Sequence, residues 1–308
     1  MNEKWVQSAR RVLMMRPSSF GFNPETASSN AFQKPATGDV QALAIAEFDA
    51  AVATLESHGI EVIVVEEAPR PPKPDSVFPN NWFACSPTGI VALFPMAAEN
   101  RRLERRPGLF EGVGTRLLDL THHELEGRFL EGTGSLVIDW INTVAYRCRS
   151  PRSDESVATE FCDASGLELV AFDAFDSGGT PIYHTNVMMA IGTGWAIVCR
   201  ESLSNREPMD RLAATGRKIV EISMQQMQEF AGNALELRNE AGEKFIIMSE
   251  RAKRALEPDQ VAVLQEFGTI VAIAIPTIES VGGGSARCMI GEIFFEPDGP
   301  KVGGPGVV

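Results

Sequence analysis

Five polar side chains recur along the sequence at nearly equal intervals: Asp75, Glu131, His184, Asn233 and Cys288, separated by 56, 53, 49 and 55 positions. Together they offer carboxylates, an imidazole and a thiol, the groups that nucleophilic catalysis with proton transfer requires. Cys288 ends the run Gly282-Gly283-Gly284-Ser285-Ala286-Arg287-Cys288. There the glycines permit a tight turn, and the adjacent arginine supplies a fixed positive charge that favours a thiolate. Cys85, Cys148, Cys162 and Cys199 have no such setting and read as small buried hydrophobes. A lone histidine beside Ile182 and Val187 would be a core residue, but its phase with Glu131 and Cys288 makes His184 a candidate acid and base. Asn233 reads as structural, satisfying backbone groups of its own loop.

Side chains spaced this way need a repeated element to bring them together. Five β-branched or aliphatic runs read as strands, with starts about 50 to 55 residues apart: Glu61–Glu67, Thr115–Leu120, Leu167–Ala174, Lys218–Ser223 and Thr269–Ile275. A polar or glycine-rich loop and a hairpin follow each run. The second hairpin strands are Gly89–Phe94, Thr143–Arg147, Trp195–Cys199 and Lys244–Met248, and Arg11–Met15 serves the last unit. Ile45, Phe48, Val52 and Leu55 recur at spacings of three and four, which predicts a helix over Val40–Ser57 with one buried face. Arg251–Phe267 is similar, with a break at Pro258. The unit is strand, strand, helix, strand. A closed ring of five is expected, because an open array leaves a sheet edge and the N-terminal strand supplies the missing piece of the last unit. The expected fold is therefore α/β, one catalytic domain over residues 1–308.

At 308 residues and 44% hydrophobic content the chain can bury a large core. A net charge of -13 opposes nucleic-acid binding, which depends on neutralising phosphates. No apolar run reaches membrane-spanning length. An odd number of cysteines without framework spacing, and a Met1–Ala9 segment without an apolar core, point to a reducing cytoplasm. Four histidines without metal-ligand spacing predict no metal, and no motif calls for a cofactor. The His122-His123 pair reads as a solvated loop whose rings point apart, and Gly282–Gly284 lacks the following helix of a phosphate loop. Of Arg101, Arg102, Arg105 and Arg106, three are expected on a solvated face. A small amino acid is the expected partner, and self-association into a homo-oligomer is left open.

With these motifs in place, the chain resembles the guanidino-group-modifying superfamily of amidinotransferases, arginine deiminases and dimethylarginine hydrolases, over nearly its whole length. The resemblance implies a five-bladed α/β propeller (pentein) of ββαβ units with pseudo-fivefold symmetry. It implies Cys288 as nucleophile, His184 as general acid and base, and Glu131 as third catalytic residue. Pro74-Asp75-Ser76-Val77-Phe78 and Glu99-Asn100-Arg101-Arg102 are similar to dimethylarginine hydrolase segments, in which the aspartate holds the substrate amino group and the first arginine its carboxylate. Within the superfamily, Arg16–Ala27 and Asn30-Ala31-Phe32-Gln33 resemble the signature of the citrulline utilization hydrolases, or citrulline ureidases. That implies hydrolysis of citrulline to ornithine, ammonia and carbon dioxide, with Phe22 of this string among the substrate contacts.

The departures bear on the substrate. Asn80-Asn81 replaces an acidic pair of the dimethylarginine hydrolases, and Asn186 replaces an aspartate of the arginine deiminases. A guanidinium wants carboxylate partners, whereas asparagine offers the donor and acceptor that a neutral ureido group needs. The loop Glu131-Gly132-Thr133-Gly134 also lacks the aspartate of the common Glu-x-Gly-Asp pattern. Cys288 would attack the ureido carbon, His184 would protonate the leaving nitrogen and then activate water, and Glu131 would hold the carbon in line. Which nitrogen leaves first stays open. Arg101 and Arg152 are candidates for the substrate carboxylate, with Arg149 competing, and Asp75 for its ammonium.

Overall fold

A computed structural model describes residues 5–27, 29–111 and 116–295. Within them the apolar runs pair into five three-stranded sheets of one pattern. β1 (Arg11–Arg16) runs parallel to β2 (Glu61–Glu66). The next sheet joins β3 (Phe83–Cys85), β4 (Ile90–Leu93) and β5 (Arg116–Asp119). The third joins β6 (Leu136–Asp139), β7 (Val144–Cys148) and β8 (Glu168–Phe172). The fourth joins β9 (Met189–Ile191), β10 (Trp195–Val198) and β11 (Lys218–Glu221). The fifth joins β12 (Leu235–Arg238), β13 (Lys244–Ser249) and β14 (Thr269–Ile273). β15 (Gly291–Ile293) then pairs antiparallel with β1, so the two ends of the chain complete one sheet.

In every sheet one antiparallel pair is followed by a strand parallel to its second member; in four sheets that pair is a hairpin, and in the one that joins the chain ends it is β15 with β1. A parallel third strand needs a crossover, which is where the helices fall. Val40–Ser57 crosses from β1 to β2, Glu155–Ser165 from β7 to β8 and Glu207–Ala214 from β10 to β11. Glu250–Ala255 and Pro258–Gln265 cross from β13 to β14, with the expected break. Between β4 and β5 the described residues hold only the short turns Glu99–Arg102 and Pro107–Phe110, which leaves Arg101 free to enter the interior. Every expected strand is present, most trimmed by one or two residues at an end and three, ending at Arg16, Cys148 and Ser249, running one residue further; Thr115, the expected start of one, lies outside the described residues, as do residues 1–4 of the N-terminal segment.

One helical face differs in phase from the expectation. Ala44, Phe48, Ala51 and Leu55 carry the buried stripe of Val40–Ser57, while Ile45 and Val52 are half-buried at its margin. The alanines let the helix sit close against the sheet of β1 and β2. The first strand of every sheet lies buried, β15 included at Gly291 and Ile293. A loop or short turn carrying one of the five spaced residues leads into each of these strands. Pro79–Asn81, Gly132–Ser135, Thr185–Val187 and Ala286–Met289 are such turns, with Glu131 and His184 at the N-caps of the second and third. Gly132 makes their close approach possible: its φ is +47° and a Cβ there would lie 2.3 Å from the Asn80 carbonyl oxygen.

Candidate active site

Asp75, Asn81, Arg101, Arg152, His184 and Cys288 line one cleft, with Thr26, Asn30, Gln33, Phe78, Tyr183 and Gly282–Gly284 completing the wall, and Glu131 and Asn233 stand behind it against His184 and Cys288. His184 Nε2 lies 2.8 Å from Glu131 Oε2. The other Glu131 oxygen accepts from Ala97 N at 3.1 Å, and Arg152 Nη1 approaches Oε2 at 3.4 Å. Burial opposes the Glu131 charge, but Arg152, the His184 hydrogen bond and Arg101 hold its carboxyl well below the usual carboxylate range. The same burial lowers the His184 pKa, with Glu131 opposing the shift and Arg152 and Arg101 reinforcing it. At neutral pH the pair is therefore a carboxylate orienting a neutral imidazole.

Cys288 is 8% exposed, and its sulfur faces two side-chain amides, Asn233 Nδ2 at 3.4 Å and Asn186 Nδ2 at 3.6 Å. Asn233 also takes the Arg287 backbone N–H on its Oδ1 at 3.0 Å and donates to the Asn186 carbonyl at 3.1 Å. The expected structural role of Asn233 therefore extends beyond its own loop: it satisfies backbone groups of the Asn186 and Cys288 turns and also touches the sulfur. Its place in the fivefold spacing was the signal. Arg287, expected to set its charge beside the sulfur, instead pairs with Glu292 at 2.8 Å and bonds the Ile290 carbonyl. Two N–H groups aimed at a sulfur are the donors a thiolate accepts.

Asp75 is 2% exposed and accepts from Asn23 at 2.7 Å, Thr26 at 3.0 Å and Gln33 at 3.4 Å, with Arg101 Nε at 3.8 Å. Burial raises its pKa, against Arg101 and these donors. Arg101 enters the cleft from the short turn after β4 and is largely committed. Nε and Nη2 meet Glu104 at 3.0 and 2.9 Å, Nη1 meets Asn81 Oδ1 at 2.7 Å, and Nη2 reaches the Phe78 carbonyl at 3.2 Å. Arg152 stacks over the Tyr183 ring at 5.3 Å and donates to the Thr26 carbonyl at 2.9 Å and to Ser29. Two buried polar atoms near the reacting groups have no partner among the described residues, Asn81 Nδ2 and Asn186 Oδ1.

Some expected site residues lie elsewhere. Asn80 is wholly buried and outside the cleft wall, its carbonyl accepting from Thr133. Asn186 reaches the sulfur from behind and lines a separate inner cavity with Gln7, Thr133 and Arg287. Phe22 packs half-buried against the apolar cluster around Phe20 and Phe78, away from the cleft wall. Arg149 is 44% exposed and bound to Glu155 and Asp173, so it drops out as a rival to Arg152. Arg102 and Arg105, expected on a solvated face, are half-buried against Glu124. Thr26, Asn30 and Gln33 had not been singled out, yet Asn30 donates to the Gly283 carbonyl at 3.1 Å and Gln33 to Gly282 at 2.9 Å. They stand in the N-terminal string that carries the citrulline-hydrolase resemblance. Of the segment Ser18–Gln33, Ser28 lies outside the described residues.

Solved structures share this architecture. Over 95% of this chain and 42% of theirs, the apo form of ArgZ, an arginine dihydrolase from the ornithine–ammonia cycle in Cyanobacteria, superposes at a TM-score of 0.72 with 20% identity. The chain thus spans less than half the length of that relative. AgrE in complex with L-arginine gives 0.70 with 17% identity, over 93% of this chain and 40% of that one. A dimethylarginine hydrolase (DDAH) from Pseudomonas aeruginosa, complexed with citrulline, gives 0.66 with 16% identity over 93% of this chain and all of its own. No curated protein matches. The sequence model of the family described as N,N dimethylarginine dimethylhydrolase, eukaryotic, matches residues 16–295, which take in every strand except β1, of which only Arg16 is included, and by that match the chain belongs to this family of the guanidino-group-modifying superfamily.

Proposed function

We propose that the chain is a cysteine-dependent hydrolase of citrulline, built as one catalytic domain whose five sheets are the blades of a propeller. The observation that carries the substrate is that the carboxylates beside the cleft's two guanidinium groups are already engaged, Glu104 by Arg101 and Glu131 by Arg152 and His184, which leaves Asp75 as the carboxylate on the cleft wall. With Asp75 taken by the α-ammonium group, a guanidinium head would be buried without a carboxylate of its own, whereas a neutral ureido head needs none. The unpartnered Asn81 Nδ2 is a donor fitted to a ureido oxygen. The α-ammonium group would take Asp75 and the carboxylate Arg152, with the last Nη1 N–H of Arg101.

In this reading the Cys288 thiol passes its proton to the neutral His184 as its sulfur attacks the ureido carbon, and the carbonyl π-electrons move to oxygen. Asn81 Nδ2, on the cleft wall, is the donor for that oxyanion, while the amide N–H groups of Asn233 and Asn186 steady the sulfur. Collapse expels the ornithine nitrogen with a proton from His184 and leaves an S-carbamoyl enzyme. Water, deprotonated by His184, then releases carbamate, which decomposes to ammonia and carbon dioxide. Five free, buried cysteines fit a reducing compartment such as the cytoplasm.

A second reading, hydrolysis of a guanidino substrate, rests on the family match and on relatives described as an arginine dihydrolase and a dimethylarginine hydrolase. Incubating purified protein with citrulline, arginine and dimethylarginine separates the two. Ornithine and ammonia formed from citrulline, and lost in Cys288→Ala, is the expected result. Citrulline formed from arginine or dimethylarginine, with citrulline itself untouched, overturns it.

A further inference from the structure

The His122-His123 pair does not behave as a solvated loop. The two rings lie 4.1 Å apart, tilted 35°, on the short turn Thr121–Glu126, and His123 is only 6% exposed. Across from them stands Glu160 on the helix Glu155–Ser165, its Oε2 2.8 Å from His123 Nε2. One ligand atom from each of His122, His123 and Glu160 lies within 4.8 Å of the others.

The second nitrogens of the rings are the independent observation. His122 Nδ1 faces the Asp119 carbonyl at 3.3 Å, which fixes its proton there and leaves Nε2 with a lone pair. His123 Nδ1 is buried and without a hydrogen-bond partner, and the nearest acidic oxygen, Glu126 Oε2, stands 3.9 Å away. If His123 Nε2 gave its lone pair to a metal, its proton would sit on Nδ1, facing that carboxylate. Each imidazole would then have an oxygen behind it, the arrangement that orients metal-binding histidines.

We propose that His122, His123 and Glu160 form a binding site for a zinc-type divalent cation, separate from the cleft. Two imidazoles and one carboxylate are borderline ligands suited to Zn²⁺, with water in the fourth position. Tetrahedral coordination needs ligand atoms roughly 3.3 Å apart at metal–ligand distances of about 2.0 Å. The His123–Glu160 pair would open by a few tenths of an ångström, and His122 and Glu160, both exposed, can swing to close the rest. The sequence hides this site because the third ligand lies on another element, 37 positions beyond His123.

The cation would also tie together the two segments that flank the loop of Glu131. The turn Thr121–Glu126 precedes that loop, and the helix bearing Glu160 begins just after Arg152. Titration of chelator-treated, full-length protein with Co²⁺ tests the site. The expected result is a single cobalt per chain with visible d–d bands and no thiolate charge-transfer band, retained in Cys288→Ala. In His122→Ala and in Glu160→Gln, both changes at exposed positions, affinity should fall by at least about tenfold while the melting temperature without metal stays near that of the parent protein. Absence of the d–d bands, their loss in Cys288→Ala, or unchanged titrations in both histidine and glutamate variants overturns the proposal.

Discussion

At the scale of single residues, the site depends on charges that burial makes expensive and neighbours make tolerable. Glu131 raises the His184 pKa through its hydrogen bond and charge, against the burial that lowers it. In Glu131→Gln that support is lost while the geometry can persist. The limb of the kcat/KM profile that reports His184 should therefore move to lower pH, and kcat should fall by about 10²- to 10⁴-fold. A profile that keeps its position would remove Glu131 from the proton chemistry. Glu104 shows the same balance from the other side. Burial pushes its carboxyl up to about 7 even though Arg101 pulls it down. Truncating it leaves a buried guanidinium short of its partner, so Glu104→Ala should cost about 3 to 5 kcal/mol in urea unfolding. Cys288, His184, Glu131 and Asp75 were legible in the sequence because their spacing is periodic. Glu104 and the sulfur contacts of Asn233 were not, because a side chain's partner across the molecule leaves no local trace.

At the scale of elements, glycines at two positions set how closely the turns approach. Gly132 holds a positive φ against the Asn80 carbonyl, and backbone there cannot yield. A Cβ on Gly134 would lie 2.5 Å from Asn81 Nδ2 and 2.8 Å from His184 Nδ1, which are side chains and can. The two alanine substitutions should differ in kind. Gly132→Ala is expected to destabilise the fold by roughly 2 to 3 kcal/mol through strain and overpacking. Gly134→Ala should leave the melting temperature closer to normal and lower kcat by displacing His184. Equal loss of stability in both would refute the distinction. The missing aspartate of the Glu-x-Gly-Asp pattern falls at this same position, where a side chain would crowd Asn81 and His184. The strands were readable from apolar runs and the helices Val40–Ser57 and Pro258–Gln265 from periodicity, whereas Glu155–Ser165 and Glu207–Ala214 were not singled out. The phase of Val40–Ser57 was not readable, because the pattern favours large side chains and the close approach selects Ala44 and Ala51.

At the scale of the whole molecule, the decisive element is the first strand. β1 is the middle strand of its sheet, hydrogen-bonded to β2 on one side and to β15 on the other. β15 in turn follows directly on the Ala286–Met289 turn that carries Cys288. The position of Cys288 thus depends on residues at the opposite end of the chain. Val12, Leu13, Met14 and Met15 are all fully buried, and each contributes about 1.5 to 3 kcal/mol of apolar burial. Their sum is comparable with the whole stability of a typical domain, about 5 to 15 kcal/mol. Deleting residues 1–16 should therefore prevent cooperative folding, seen as loss of the thermal transition and rapid labelling of all five cysteines, which are buried in the intact chain. If instead only β15 detached, Cys288 alone would become reactive while Cys85, Cys148, Cys162 and Cys199 stayed protected. That outcome would mean the remaining four sheets hold together without the closing strand, contrary to the interdependence argued from β1.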